Sequence, residues 1–322
     1  FLTRYVKRRT SRALPSFCLI PASPGRRPNG KRPPPVRRTS CLPLLHGTMA
    51  ASPQHMAARM ETPSLIPSAA DRDMERYQTS YLAASFEPTQ AELRKRVVLT
   101  TLRTWQARRI LEVGCGMAPI FTVYPGFEQM TIVEPGARFA AHARELAGDD
   151  GRIQIIEALL EHAATQAPLS DMRFDAILVS GLLHEIPAPL TLLRALRPLC
   201  TPTTRLHVNV PNARSLHRLL ALEMGLIDDL YALSDRQRTL QQHTTFDLQS
   251  LVDLCHAAGY DIVGQGSYFI KPFTHRQMQT LMDVGVMDDR MLDGLMGLEK
   301  HLPGLGSEIY LNLKPADRPG FG

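Results

Sequence analysis

The chain has 322 residues, 44% hydrophobic and 21% charged, with five cysteines and a formal net charge of +6. That length allows one large domain or two ordinary ones. No stretch approaches the roughly 18 consecutive apolar residues of a membrane-spanning helix, and five cysteines without paired spacing argue against a disulfide framework or a zinc site.

The positive charge is local. Residues 1–48 hold eleven Lys and Arg and no acid, so subtracting 11 from 37 leaves 26 basic against 31 acidic residues over 49–322, a balance of −5. The same 48 residues carry eight prolines, including Pro33-Pro34-Pro35. Such a composition buries too little surface to offset its ordering entropy, so a disordered tail is expected over 1–70. Three readings are open for it. It is an Arg-rich, Ser-containing, acid-free leader of the organellar-transit type, or a basic arm that binds phosphates of nucleic acid or lipid. Or the reading frame is taken too far upstream, with Met49, Met56 or Met60 as the start. The acidic body has no evident phosphate-binding face, so no nucleic acid and no membrane are expected as its partners.

A folded domain is expected over 71–315, followed by a short tail over 316–322. It opens on a helical preface, because Tyr77, Tyr81, Leu82, Phe86, Leu93, Val97, Val98 and Leu102 recur at spacings close to helical, with Thr89 a candidate N-cap after a break at Glu87-Pro88. Strands are then expected at Arg109–Val113, Met130–Val133, Ile153–Ile156, Phe174–Val179 and Arg205–Val210. Helices at Gly136–Leu146, Leu159–Thr165 and Leu190–Leu199 separate most of them. Strand and helix in alternation imply a doubly wound α/β fold with a mostly parallel sheet. After Val210, helices are expected over Leu216–Ala232 and Phe246–Ala258, and two late strands at Tyr260–Phe269 and Glu308–Leu313. Between those strands lies a helical insertion, Thr274–Leu302, with Met278, Met282, Met287, Met291 and Met296 at helical spacing. Such a stripe reads as core filler or as a flexible cover over a pocket.

The strongest local signal is Ile110-Leu111-Glu112-Val113-Gly114-Cys115-Gly116, a hydrophobic strand running into a Gly-x-Gly turn. Glycines are needed where the chain reverses sharply and a ligand approaches bare backbone. The third small position is Ala118, so the full dinucleotide fingerprint is absent. Glu134 ends the second strand, 18 residues beyond Gly116, where such folds place the acid that binds both ribose hydroxyls of a nucleoside. Glu112 sits directly before the turn. An acid there repels a pyrophosphate and suits a sulfonium or ammonium, which favours S-adenosylmethionine over a nicotinamide dinucleotide.

These residues, with Glu157-Ala158 after strand three and Phe174–Val179 followed by Leu182-Leu183-His184-Glu185-Ile186-Pro187, resemble class I S-adenosylmethionine-dependent methyltransferases. The nearest group is the ubiquinone-biosynthesis O-methyltransferase-like branch acting on small molecules. The resemblance covers about 75–314 and implies a seven-stranded Rossmann-like sheet with its last strand antiparallel. It also implies S-adenosyl-L-methionine as cofactor: Gly114, Cys115 and Gly116 against its methionine part, Glu134 on the ribose, Glu157 and Ala158 at the adenine, Ser180 and Gly181 flanking the methionine end. Tyr77 and Tyr81 would close over it.

The acceptor is expected outside the carboxyl ends of the strands. His184 follows strand four; Asn212, Ser215, His217 and Arg218 follow strand five. Methyl transfer to a hydroxyl profits from a base with a pKa near neutrality. His217 is the first candidate for that base, His184 the second and His243 the third, each with a structural alternative. Arg218 would pair with an acidic group of the acceptor, and Asn212 and Ser215 would line its site. No ligand-spaced His/Cys/Asp cluster is present, so no catalytic metal is expected. The expectation is therefore a cytoplasmic methyltransferase acting on a hydroxyl of a small molecule: a sugar, a phenol or a secondary metabolite. A nitrogen acceptor and a non-catalytic cofactor-binding module are the alternatives, and homodimerisation is left open.

Overall fold

A computed structural model describes residues 73–82 and 85–317. The expected tail over 1–70 lies outside the described residues, and the one over 316–322 is described only as far as 317. The preface forms two helices, α1 (Met74–Leu82) and α2 (Glu87–Trp105). Thr89 is not the N-cap of α2. The helix starts two residues earlier behind Phe86, with Pro88 in its first turn, where the missing N–H costs nothing.

The alternating segment follows as β1 (Arg109–Val113), β2 (Gln129–Val133), α3 (Ala137–Ala147), β3 (Ile153–Ile156), α4 (Leu160–Ala163), β4 (Phe174–Ser180), α5 (Pro189–Leu196) and β5 (Cys200–Pro211). After it come α6 (Leu216–Glu223), α7 (Asp235–Thr239), α8 (Leu248–Ala257), β6 (Tyr260–Tyr268), α9 (His275–Asp283), α10 (Asp289–Gly297) and β7 (Glu308–Pro315). The seven strands form one sheet in the order β3-β2-β1-β4-β5-β7-β6. The pairings among β1 to β5 are parallel. β7 runs antiparallel to both β5 and β6. This is the seven-stranded Rossmann-like sheet with an antiparallel last strand that the motifs led one to expect.

Both faces of the sheet are covered, as near-continuous apolar strands require. On one face, Leu111, Ile177, Val179, Leu206 and Val208 pack with Leu192, Leu193 and Leu196 of α5 and Leu251 and Cys255 of α8. On the other, Ile110, Met130, Ile132 and Leu178 pack with Val98 and Leu102 of α2 and Ala143 of α3. The insertion has its own core, in which Phe86 and Leu93 meet Phe269, Met278, Met287 and Leu292, with Met282 and Met296 packed against it. Four of the five methionines are thus filler between helices, and only Met291 is exposed, at 46%.

The helix expected over Leu216–Ala232 stops at Glu223. Gly225 takes a left-handed φ of +66°, a frequent helix terminator. The chain then folds back, and Arg218 Nη2 donates to the carbonyls of Leu230 (2.5 Å) and Ala232 (3.1 Å). Because β1, β2, β4 and β5 all end on one edge, and antiparallel β7 begins there, their connections converge on a single cavity.

Candidate active site

The cavity has a volume of about 290 Å³ and is lined from the ends of β1, β2, β4 and β5, the start of β7, and helices α1, α2, α6 and α7. Most of the expected residues meet in its wall: Tyr81, Glu112, Gly114, Cys115, Gly116, Glu134, Ser180, Gly181, His184, Asn212, His217 and Arg218.

At its centre is the turn after β1. Gly114 has a φ of +75°, a conformation that L side chains seldom adopt, and the turn backbone faces the end of β2. There Glu134, 4% exposed, accepts from the amides of Cys115 (3.0 Å) and Gly116 (3.3 Å) through Oε2, and from Gly136 (2.8 Å) through Oε1. A Cβ on Gly136 would lie 2.9 Å from Glu134 Oε1 and 2.4 Å from Gln78 Nε2, so any larger residue here must displace the ends of those two side chains. A carboxylate offers about four acceptor sites. Three are in use here, the Gly116 contact being the longest. Burial raises the Glu134 pKa, against the lowering effect of the Gly136, Gly116 and Cys115 amides.

Glu112 lies behind the turn and accepts from the Ile120 amide at 3.0 Å. Burial pushes its pKa up to about 8, so it holds its proton at neutral pH. Above Glu134, α1 brings Tyr77 and Tyr81 against Phe139 of α3, with ring centroids 6.2 and 5.9 Å away. Ser180 Oγ, at the end of β4, accepts from Asn209 Nδ2 at 2.8 Å.

Four expected residues fall elsewhere. Glu157 is exposed and pairs with Arg144 at 2.9 Å. It lies off the cavity wall with Ala158, and the wall beside them is Leu159, Leu160 and Glu161. Ser215 precedes α6 with its hydroxyl buried and without a hydrogen bond, off the cavity wall. His243 is also off the wall; its amide donates to the His184 carbonyl at 2.9 Å, while its neighbours Gln242 and Thr245 line the cavity.

On the acceptor side, His217 Nδ1 is buried and makes no hydrogen bond. Burial, then the charges of Lys271 and Arg218, hold its pKa well below the usual imidazole value. His184 is 5% exposed, with Nε2 3.7 Å from Glu185 Oε1. Asn212 lines the cavity with its side chain engaged: Nδ2 donates to the Gly304 and Gly306 carbonyls at 3.0 and 2.8 Å, and Oδ1 accepts from the Arg214 amide.

Sequence reasoning missed a second group in the wall: Glu87, Gln90 and Arg94 of α2, Arg236 of α7, Lys271 and His275 beyond β6, and Glu308 of β7. Arg94 donates to Glu308 through Nε (2.9 Å) and Nη2 (2.6 Å), the two-pronged fit of guanidinium to carboxylate. Gln90 Nε2 adds a bond at 2.9 Å, and the Tyr268 hydroxyl another. The available signal was Lys271 directly after the apolar run Tyr268-Phe269-Ile270, and Glu308 opening an apolar strand.

Among the described residues no helix is long and apolar enough to cross a membrane. No curated protein matches the chain. Among solved structures it is similar to the plantazolicin methyltransferase BamL, in a crystal structure with a triazolic desmethylPZN analog and SAH (13% identity, TM-score 0.47, covering 76% of this chain and 98% of that one). It is also similar to the N-methyltransferase NodS from Bradyrhizobium japonicum WM9 (10%, 0.44, 71% and 98%) and to the [4+2]-cyclase SpnF (20%, 0.43, 65% and 74%). At such identities these likenesses say nothing about substrate. The family model described as "Methyltransferase domain" matches residues 75–265, more than half of the chain, which therefore belongs to the methyltransferase-domain family.

Proposed function

We propose that this protein transfers a methyl group from S-adenosylmethionine to a hydroxyl of a small molecule, as in the ubiquinone-biosynthesis O-methyltransferase-like branch its motifs resemble. The observation that carries the reading is Glu134. A buried carboxylate at the end of β2, resting on the amides of the Gly114–Gly116 turn, shares one cavity with the unbonded Nδ1 of His217.

S-adenosylmethionine, when bound, supplies an electrophilic methyl group on a positively charged sulfur. The residues around it divide the remaining work. Glu134 holds the ribose, the bare turn admits the amino-acid part, and Tyr77 and Tyr81 shield the nucleoside face. Glu112 is protonated at neutral pH, and a cation held beside it draws it back toward the carboxylate. His217 is neutral at the same pH, so its Nδ1 is able to receive the proton of an acceptor hydroxyl. Alignment of donor and acceptor in a walled cavity supplies much of the acceleration. The low basicity of His217 favours a second reading, a nitrogen acceptor, which needs no strong base.

Calorimetric titration of S-adenosylmethionine and S-adenosylhomocysteine into the full chain and Glu134→Ala tests the cofactor site. Micromolar binding is expected, weakened about a hundredfold or more in the variant, since two hydrogen bonds to a charged group are lost at about 1.5–3 kcal/mol each. A folded chain that binds neither compound, or a variant that binds as the parent does, overturns the reading.

A further inference from the structure

Five charged side chains converge on the acceptor side of the cavity from four parts of the chain. Glu87 and Arg94 come from α2, Arg236 from α7, Lys271 from the segment after β6, and Glu308 from β7. The main charges acting on Lys271 are those of Glu308, Glu87, Arg236 and Arg94, so around Lys271 three cations face two carboxylates, a local excess of one positive charge; Glu185, in the same wall, lies beside His184.

Both carboxylates are already engaged. Glu308 takes Arg94, Gln90 and Tyr268. Glu87 takes Arg236 at 3.1 Å and Arg94 at 3.5 Å, with His275 Nε2 at 3.7 Å. Lys271 is the cation left over. It is 2% exposed, and its hydrogen-bond partner is the ring nitrogen Nδ1 of His275 at 3.2 Å. A lysine ammonium has three donors, so in the charged form two lack a protein acceptor among the described residues. His217, with its unbonded Nδ1, is within electrostatic reach of Lys271. Arg218 stands outside the balance: its Nη2 is tied to two carbonyls, and Asp229 opposes its charge.

A buried cation without a counter-charge is costly. The free protein relieves the cost by loosening the proton: burial, partly offset by Glu308 and Glu87, pushes Lys271 down to about 7. A ligand relieves it better by bringing the missing negative charge.

Resting on the methyl-transfer reading above, we propose that Lys271 binds a carboxylate carried by the methyl acceptor, so that the acceptor is a small hydroxy acid or amino acid rather than a neutral alcohol or amine. The excess is one charge, which a carboxylate balances and a phosphate dianion overshoots. A ligand anchored at Lys271 has His217 beside it in the same cavity wall, which places the group to be methylated near that ring.

The test uses the full chain, with and without S-adenosylhomocysteine. Failure of S-adenosylhomocysteine to bind refutes the methyl-transfer reading alone, because the anion site is still read on the unloaded protein. Benzoate, benzamide and phenyl phosphate are then titrated calorimetrically into the parent, Lys271→Met and Lys271→Arg. Benzoate is expected to bind, with benzamide and phenyl phosphate weaker. Lys271→Met should lose about tenfold or more in benzoate affinity, the scale of one charge-assisted hydrogen bond, and Lys271→Arg should keep most of it. Unchanged S-adenosylhomocysteine affinity confirms that a variant is folded; should Lys271→Met fail to fold, the ligand comparison on the parent and Lys271→Arg decides. Equal binding of benzoate and benzamide, no binding of benzoate, or benzoate binding indifferent to Lys271→Met overturns the proposal. Tighter binding of phenyl phosphate overturns the carboxylate in favour of a phosphate.

Discussion

Replacing Arg94 by methionine probes how the acceptor side is held together. Arg94 and Glu308 are 16% and 3% exposed as side chains, and they meet through two hydrogen bonds of 2.9 and 2.6 Å. Removing one partner of a buried pair strands the other charge, at a cost of about 3–5 kcal/mol. Gln90 and Tyr268 continue to donate to Glu308, which places Arg94→Met near the lower end, about 3 kcal/mol. For a domain of this size that lowers Tm by about 6–12 °C. Glu308→Gln strands Arg94 in the same way, with Glu87 at 3.5 Å as its remaining partner. The double variant leaves no stranded charge in the pair and should cost less than the sum of the two, by about 2–3 kcal/mol. The pH dependence has a definite sign. Burial acts to raise the Glu308 pKa, but Arg94, Tyr268 and Gln90 outweigh it and hold it below 4.5. Its contribution is thus present above pH 4.5 and lost as pH falls through the folded value. Without Arg94 the carboxyl moves upward and sheds its penalty by taking a proton, so the gap between parent and Arg94→Met should narrow from pH 8 to pH 5. Urea denaturation of the four proteins at both pH values reads all of this. Additive single variants, or a gap independent of pH, would refute the account.

Two further outcomes follow from the same cavity. His217→Ala should lower turnover about a hundredfold or more while S-adenosylhomocysteine affinity stays unchanged; because His217 is held well below 6.5, the parent's activity profile should show no histidine limb near that pH, and unchanged turnover removes His217 from the mechanism. For Glu112, a folded pKa of about 8 against 4.5 means the native state keeps a proton the unfolded chain has released, so stability is lost as pH rises from about 4.5 to about 8. Glu112→Gln keeps the acceptor for the Ile120 amide and should gain on the order of 4 kcal/mol relative to the parent between pH 4.5 and pH 8.5; equal slopes in denaturation across that range would sink this explanation.

The sheet was legible because its strands are apolar runs with clear ends. β1 and β3 coincide with their expected spans, each a short, mostly aliphatic stretch closed by Gly114 or Glu157. β5 begins five residues earlier than Arg205, at Cys200. Its polar start, Thr201-Pro202-Thr203-Thr204, hides a strand pinned by Thr204 Oγ1 to the Phe174 carbonyl at 2.6 Å. The cofactor side was readable because Gly114, Gly116 and Glu134 come from adjacent strands and carry their signal in short-range spacing. Arg94, Lys271 and Glu308 have no such spacing, and for Lys271 and Glu308 the signal was only a charge at the edge of an apolar run. They lie on α2, after β6 and on β7, and only the insertion of β7 between β5 and β6 brings them together. Asn212 shows the reverse: its place after β5 suggested acceptor binding, and it does line the cavity, but its amide nitrogen is engaged with the Gly304 and Gly306 carbonyls.

The antiparallel last strand makes β6 and β7 a hairpin whose connection, helices α9 and α10 included, opens at the catalytic edge of the sheet. The two ends of that connection are clasped by the Ser307 amide on the Phe269 carbonyl at 2.8 Å. Lys271 and Glu308 sit beside the clasp rather than out on the helices. The helical segment is therefore a cassette hung from the sheet: of α9 and α10 only His275 reaches the cavity wall, so most of the segment can change in length or sequence while the sheet and the charges at its edge stay in register.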